Sequence, residues 1–397
     1  MTNQENNLPR RFNTVFGLLQ SIKTGELVIV LPNCREFKLR GEKKGPVATI
    51  EILNQDFFAR VIREGENGFC ESYLDGWWKT PNLLDLLDLL LINGELFGAN
   101  LPGAAALRFY ERIRHWLRSN SRGQAKKNIA HHYDLGNDFY KKWLDKTMTY
   151  SSAFFETGKE SLRTAQTKKY ALICDSLGLK TEDHILEIGC GWGGFMEYAV
   201  KNRGVKVTGL TISREQFDYS RKRIFEAGCS EKANVVLRDY RDERGQYDAV
   251  ASIEMFEAVG EKYWPTYFNT VRDCLNFGAK ATLQIITISD EFFPHYRKNV
   301  DFIQKYIFPG GMLPSPKALE EQILRAGLQK IESHEFGKSY SKTLRLWYEQ
   351  FNSVWSDIAP LGFDDRFKRM WNFYFASCAA FFLSETGDVT QVTLKKS

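Results

Sequence analysis

The chain has 397 residues, room for two domains, and its 43% apolar content suits a folded globular protein. Its net charge of +5 is mild over that length, so charge matters only where it clusters. Seven cysteines without a C-x-x-C pair argue against a zinc site or a disulfide framework and favour a reducing compartment.

The opening residues lack the apolar core of a signal peptide, and no apolar run is long enough to span a bilayer. The nearest approach, 83–92, is cut by Asp85 and Asp88 at helical spacing. A soluble, cytoplasmic protein is expected. Leu8, Phe12, Phe16, Leu19 and Ile22 recur at helical spacing, either as an interfacial helix or as one packed on its own domain. Stretches 26–31, 36–39 and 47–52 read as strands, and 54–64 and 82–93 as helices. Together they predict a small mixed α/β unit. From Arg108 to Lys127 the chain turns basic, with only Glu111 opposing it, and 119–123 reads as a linker. Such a run suits anionic lipid headgroups or a solvated helix face. Nucleic acid is not expected, because no recognised nucleic-acid module accompanies the charge. The boundary is placed here, between an N-terminal α/β domain over 1–125 and a catalytic domain over 126–397.

Residues 129–140 and 149–155 mix polar, aromatic and small side chains in the manner of site-forming loops. A regular alternation follows: helix 160–178, strand 184–188, helix 194–202, strand 205–210 and helix 214–227. Strands 234–237 and 247–253, helix 262–276 and strand 280–288 continue it. This order predicts a doubly wound, mainly parallel sheet with ligands at the strand carboxyl ends. The last third is rich in aromatics, from Phe292 to Phe382, which serve either a core or an apolar substrate tunnel. Residues 389–395 alternate like a final edge strand.

Residues 184–194, H-I-L-E-I-G-C-G-W-G-G, form a strand, a glycine turn and a helix start, the arrangement of a nucleotide cradle. G-x-G-x-x-G is satisfied, but two features oppose a dinucleotide. Glu187 stands where a pyrophosphate would dock, and the second strand has no acid at its tip for ribose hydroxyls. S-adenosylmethionine fits better, since it carries no phosphate and its amino and sulfonium groups are cationic. E-x-G-x-G-x-G is typical of the first motif of class I methyltransferases, whose fold this order resembles. Asp239 and Tyr240 end the third strand, where the adenine would lie; the bland alternative for Asp239 is a helix cap.

Several stretches in order carry a more specific resemblance: H-H-Y-D-L-G-N-D-F-Y (131–140), M-T-Y-S-S-A-F-F (148–155), L-E-I-G-C-G-W-G (186–193) and V-T-G-L-T-I-S-R-E-Q (207–216). R-D-Y-R-D (238–242), M-F-E-A-V-G (255–260), K-Y-I-F-P-G-G (305–311) and G-F-C-E-S-Y-L-D-G-W-W (68–78) add to it. The chain resembles the cyclopropane-fatty-acyl-phospholipid synthases. The fold class implied is α/β, a class I methyltransferase doubly wound sheet with a smaller N-terminal α/β domain of lipid-binding type.

The resemblance implies methyl transfer from S-adenosylmethionine to double bonds of unsaturated phospholipids at the membrane surface, on its inner face. It implies cofactor contacts from Tyr150, Ser151, Glu187, Gly189, Gly191, Gly193, Thr211, Ser213, Gln216, Asp239 and Tyr240, and a catalytic group of Glu257, Tyr340, Ser152 and His131. No metal is implied, and a homodimer stays open. In ring-forming members a bound bicarbonate takes the proton from the cationic intermediate. Its cradle departs here: Ser152 stands for the usual cysteine, Ile286 for the histidine, and Ala258 for a histidine beside Glu257. The hydroxyl of Ser152 and the backbone of Ile288 are left as anion donors, or Glu257 acts as the base, or Glu257 only orients His131 or Tyr340. Cyclopropane formation is expected, with a methyl- or methylene-branched chain as the alternative.

Overall fold

A computed structural model describes residues 8–94, 124 and 135–397. The basic run, its linker and His131 lie outside the described residues, as does the expected domain boundary. Helix α1 (Phe12–Leu19) closes over a four-stranded sheet of β1 (Thr24–Val30), β2 (Glu36–Arg40), β3 (Lys43–Ile52) and β4 (Trp78–Lys79), in the order β2-β1-β3-β4. Phe12 is buried against Phe37 and Phe58, so α1 serves its own unit's core. Helices α2 (Phe57–Glu64), α3 (Glu66–Leu74) and α4 (Leu83–Ile92) complete it. Asn82 starts α4 by accepting the backbone N–H of Asp85, which satisfies one of the donors a helix start leaves over.

After α5 (Asn137–Trp143) and α6 (Leu162–Leu177), the predicted alternation appears as β5 (His184–Ile188), α7 (Gly194–Arg203), β6 (Lys206–Thr211), α8 (Arg214–Glu226), β7 (Ala233–Leu237) and β8 (Tyr247–Ile253). Helix α9 (Trp264–Cys274) then runs directly into β9 (Leu275–Ile288). The sheet has seven strands in the order β10-β11-β9-β8-β5-β6-β7, parallel from β9 to β7.

One expectation is corrected. The last strand, β11 (Gly387–Lys396), is not an edge: it lies between β9 and the true edge, β10 (Leu328–Glu335), antiparallel to both. Its Val389, Val392 and Leu394 are buried, and so are the polar Thr390, Gln391 and Thr393 between them. Both faces are covered, which alternation alone does not reveal. The polar β10 sequence hides a strand because all but its first residue are exposed.

The three longest helices of the C-terminal third are α10 (Pro316–Arg325), α11 (Gly337–Ser353) and α12 (Asp365–Leu383), and the last two hold most of its aromatic rings. The last two pack on each other and on the N-terminal unit. Phe373 of α12 meets Phe69 of α3, Arg369 Nε donates to Leu74 O at 2.8 Å, and Arg345 pairs with Asp88. One hydrophobic core therefore runs from Phe12 through Trp347 to Phe375. Among the described residues no helix is long and apolar enough to cross a membrane, and no cluster of His, Cys, Asp or Glu is placed to hold a metal.

Candidate active site

Strand β5 delivers Glu187 and the glycine turn to the carboxyl end of the sheet, where a cleft opens. The floor is made by Gly189, Gly191 and Trp192. Gly189 adopts φ 83°, and a β-carbon there would come within 2.7 Å of Met255 Cγ, so the turn's tightness depends on glycine. Thr211 and Gln216 form one side, with Thr211 Oγ1 donating to Gln216 Oε1 at 3.0 Å. Asp239 and Tyr240 form the far end, and Tyr150 and Ser151 roof it.

Two expected contacts lie elsewhere. Gly193 does not line the cleft; it faces Ser220 of α8 just ahead of α7. Ser213 is spent as the cap of α8, its Oγ accepting the Gln216 N–H. Asp239 fulfils both of its readings. It sits on the cleft wall, and it caps the short 3-10 turn Tyr240–Asp242 while holding Arg241 through both carboxylate oxygens.

The lining chemistry fits S-adenosylmethionine. Burial pushes the Glu187 carboxyl up to about 8, and its Oε2 has no hydrogen-bond partner among the described residues; an ammonium group docked there would draw it back to the carboxylate and supply the missing donor. The two arginines on the wall are tied to carboxylates, Arg238 to Glu243 and Arg241 to Asp239, rather than directed at a phosphate.

Behind the cleft lies a second cavity of about 270 Å³. Phe302, Phe308, Met312 and Leu313 line one side and Leu344, Phe373, Phe381 and Phe382 another, with Leu91 of the N-terminal unit at the wall. Many of the C-terminal aromatics thus line a tunnel, while Trp371 and Phe375 belong to the core. The two cavities share three wall residues: Tyr150, Glu254 and Ala258.

Glu257 and Tyr340 line this second cavity, and Ser152 lines neither. The Ser152 hydroxyl is turned away, donating to Ala153 O at 2.9 Å. The Ile288 N–H is likewise engaged, by Pro314 O at 3.0 Å. Neither expected anion donor is therefore offered in the expected way. Glu257 accepts the Ile286 N–H, its other oxygen is unpartnered, and burial together with the nearby Glu254 charge pushes its carboxyl up to about 8. Its carboxyl therefore keeps its proton to higher pH than an ordinary glutamate, which makes it a weaker candidate for the base.

The residue that sequence reasoning missed is Glu254, at the carboxyl end of β8. Its Oε1 accepts the Ser152 N–H at 2.8 Å and Gln284 Nε2 at 2.7 Å, and the Tyr340 hydroxyl stands beside the same carboxylate. Gln284 is in turn held by Gln391 Nε2 at 3.0 Å, its register partner across β9 and β11. The fully buried Lys169 of α6 faces this group electrostatically while donating to Ser151 Oγ at 2.6 Å. Burial lowers the Lys169 ammonium to about 7 and raises the Glu254 carboxyl, as expected for charges removed from water. The available sequence signal was the pair of glutamates three residues apart after β8.

Known proteins resemble this chain in sequence and in fold. The family model for mycolic acid cyclopropane synthetase matches residues 120–392. The tuberculostearic acid methyltransferase UfaA1 of Mycobacterium tuberculosis is 38% identical, over 86% of this chain and 82% of its own. The cyclopropane-fatty-acyl-phospholipid synthase of Escherichia coli (strain K12) is 36% identical, over 88% of both chains. Among solved structures, mycolic acid cyclopropane synthase CmaA1 complexed with SAH and CTAB is similar, with a TM-score of 0.65 and 30% identity over 68% of this chain and 98% of that one.

Proposed function

The chain belongs to the mycolic acid cyclopropane synthetase family and is an S-adenosylmethionine-dependent methyltransferase; from that premise we propose that it methylates carbon–carbon double bonds in unsaturated phospholipid acyl chains. The observation that carries the reading is the meeting of the cleft that holds Glu187 and Asp239 with an aromatic-lined cavity at Tyr150, Glu254 and Ala258. S-adenosylmethionine supplies an electrophilic methyl group when bound.

The chain's own residues do the rest. An alkene is a poor nucleophile, so the tunnel must hold it close and aligned. Tyr150 is fixed for this: its hydroxyl bonds Tyr374 OH at 2.9 Å, and its ring packs 5.3 Å from Trp347 and 6.4 Å from Phe308. These aromatic faces stabilise positive charge arising on the acyl chain, and the apolar wall keeps out water that would capture it. The basic run at 108–127 would bring the protein to anionic headgroups, an attraction that salt weakens.

Ring closure to a cyclopropane fatty acid is the product read first. Methylene branching has its own support, because Ser152 and Ile286 replace the cysteine and histidine of the ring-forming pattern. The test is incubation with S-adenosylmethionine and vesicles of unsaturated, anionic phospholipid, followed by mass spectrometry of the fatty acid methyl esters. A gain of one CH₂ per converted chain, decreasing as salt is raised, is expected. Unchanged chains would overturn the proposal. The two products are isomers, so proton NMR of the esters distinguishes the high-field cyclopropane signals from an exocyclic methylene.

A further inference from the structure

We propose that Glu254 is the resident general base of this enzyme, taking the proton that the methylated acyl chain must lose, so that turnover needs no borrowed bicarbonate. The inference rests on the acyl-chain reading above and adds the identity of the proton acceptor.

Position comes first. Among the described residues Glu254 is the one acid that walls both the cofactor cleft and the tunnel; Glu187 and Asp239 line only the former, and Glu66, Glu257 and Asp301 only the latter. A methyl group passing from one cavity to the other crosses the wall that Glu254 shares with Tyr150 and Ala258. The second argument is occupancy of the donors. The Ser152 N–H and Gln284 Nε2, two donors that a small anion at this point would use, already hold the Glu254 carboxylate, and the Tyr340 hydroxyl stands beside it. A carboxylate on the chain thus stands where the resemblance expects a free anion.

The backbone gives a third. Glu254 has φ 49°, a left-handed conformation that is unusual for a residue with a long side chain and easy for glycine. Keeping glutamate there against that cost points to its carboxylate. Finally, the two neighbouring acids are differentiated. Burial raises both carboxyls, but Lys169 and the bonds from Ser152 and Gln284 draw Glu254 back down, whereas Glu257 accepts only the Ile286 N–H and is pushed up further by the Glu254 charge. The chemical step balances without an added reagent. The electron pair of a C–H bond in the cationic segment forms the new carbon–carbon bond, and the proton passes to the Glu254 carboxylate. The resulting neutral acid then returns that proton to solvent.

The test uses the full chain, S-adenosylmethionine and unsaturated phospholipid vesicles in buffer stripped of carbon dioxide. Wild type is expected to convert acyl chains there at the rate seen with added bicarbonate. Glu254→Gln should lose about a hundredfold or more, the usual share of a general base. Glu254→Gly relieves the backbone and opens the anion's place; bicarbonate should partly restore its turnover. NMR of isotope-labelled bicarbonate should show broadening with Glu254→Gly and none with wild type. Conversion by wild type that requires bicarbonate, or a Glu254→Gln variant with undiminished rate, overturns this inference and leaves the acyl-chain reading standing. No conversion by wild type under either condition overturns both.

Discussion

Glu257→Gln should make the protein more stable at neutral pH, although it alters a residue on the tunnel wall. In the fold the carboxyl is drawn into the wall of the second cavity, and desolvation pushes it up to about 8, against 4.5 for the free side chain. The sign follows from that order. Below about pH 4.5 both states carry the proton and the group costs nothing. As pH rises to 8, the unfolded chain ionises while the folded one holds its proton, so folding stability is lost across that window. At about 1.4 kcal/mol per pH unit, the loss is about 3 kcal/mol at pH 7 and levels off near 5 kcal/mol above pH 8. Glutamine keeps an oxygen for the Ile286 N–H and removes the ionisation. Urea unfolding of wild type and variant at about pH 5, 7 and 8.5 reads the difference directly. The gain should be under about 1 kcal/mol at pH 5 and several kcal/mol at pH 8.5. A difference that is the same at all three values would refute the raised Glu257 carboxyl.

Two further substitutions probe the same region. Lys169→Met removes the positive charge that lowers the Glu254 pKa, so the carboxyl will hold its proton to higher pH. The acidic limb of the pH–rate profile should move toward higher pH, and an unmoved limb would remove Lys169 from the site's electrostatics. Gly209→Ala tests the support behind the glycine turn. A β-carbon there would lie 2.4 Å from Met196 Sδ and 2.8 Å from Cys190 Cβ, both buried side chains. Overpacking of that kind costs about 1–3 kcal/mol, and a urea midpoint equal to wild type would show that the core can absorb it.

Most of the methyltransferase framework was legible in the chain because its signals are local. The strand, glycine turn and helix around Glu187 are consecutive residues, and period and turn chemistry report them directly. The alternation from α6 to β9 followed for the same reason, as did the preference for a cationic, phosphate-free cofactor, which came from the chemistry of one acid and one strand tip. The family resemblance added Glu257 and Tyr340 as motif positions. It could not say which way a side chain turns, and so Ser152 was expected to offer its hydroxyl when the fold uses its N–H instead.

What only the tertiary structure decided is long-range. β11 looked like an edge because alternation reports which residues share a face and says nothing about what covers either face. The Glu254 carboxylate is assembled from five elements: β8, the 149–155 loop, β9, α11 and, through Lys169, α6. No periodicity links positions 152, 169, 254, 284 and 340 along the chain. Their charges and hydrogen bonds acquire strength only once burial removes water from around them. The same burial separates the two glutamates after β8, holding the Glu257 proton to higher pH while donors gather around Glu254. Sequence determined the scaffold and its cofactor; packing determined which acid is left to take a proton.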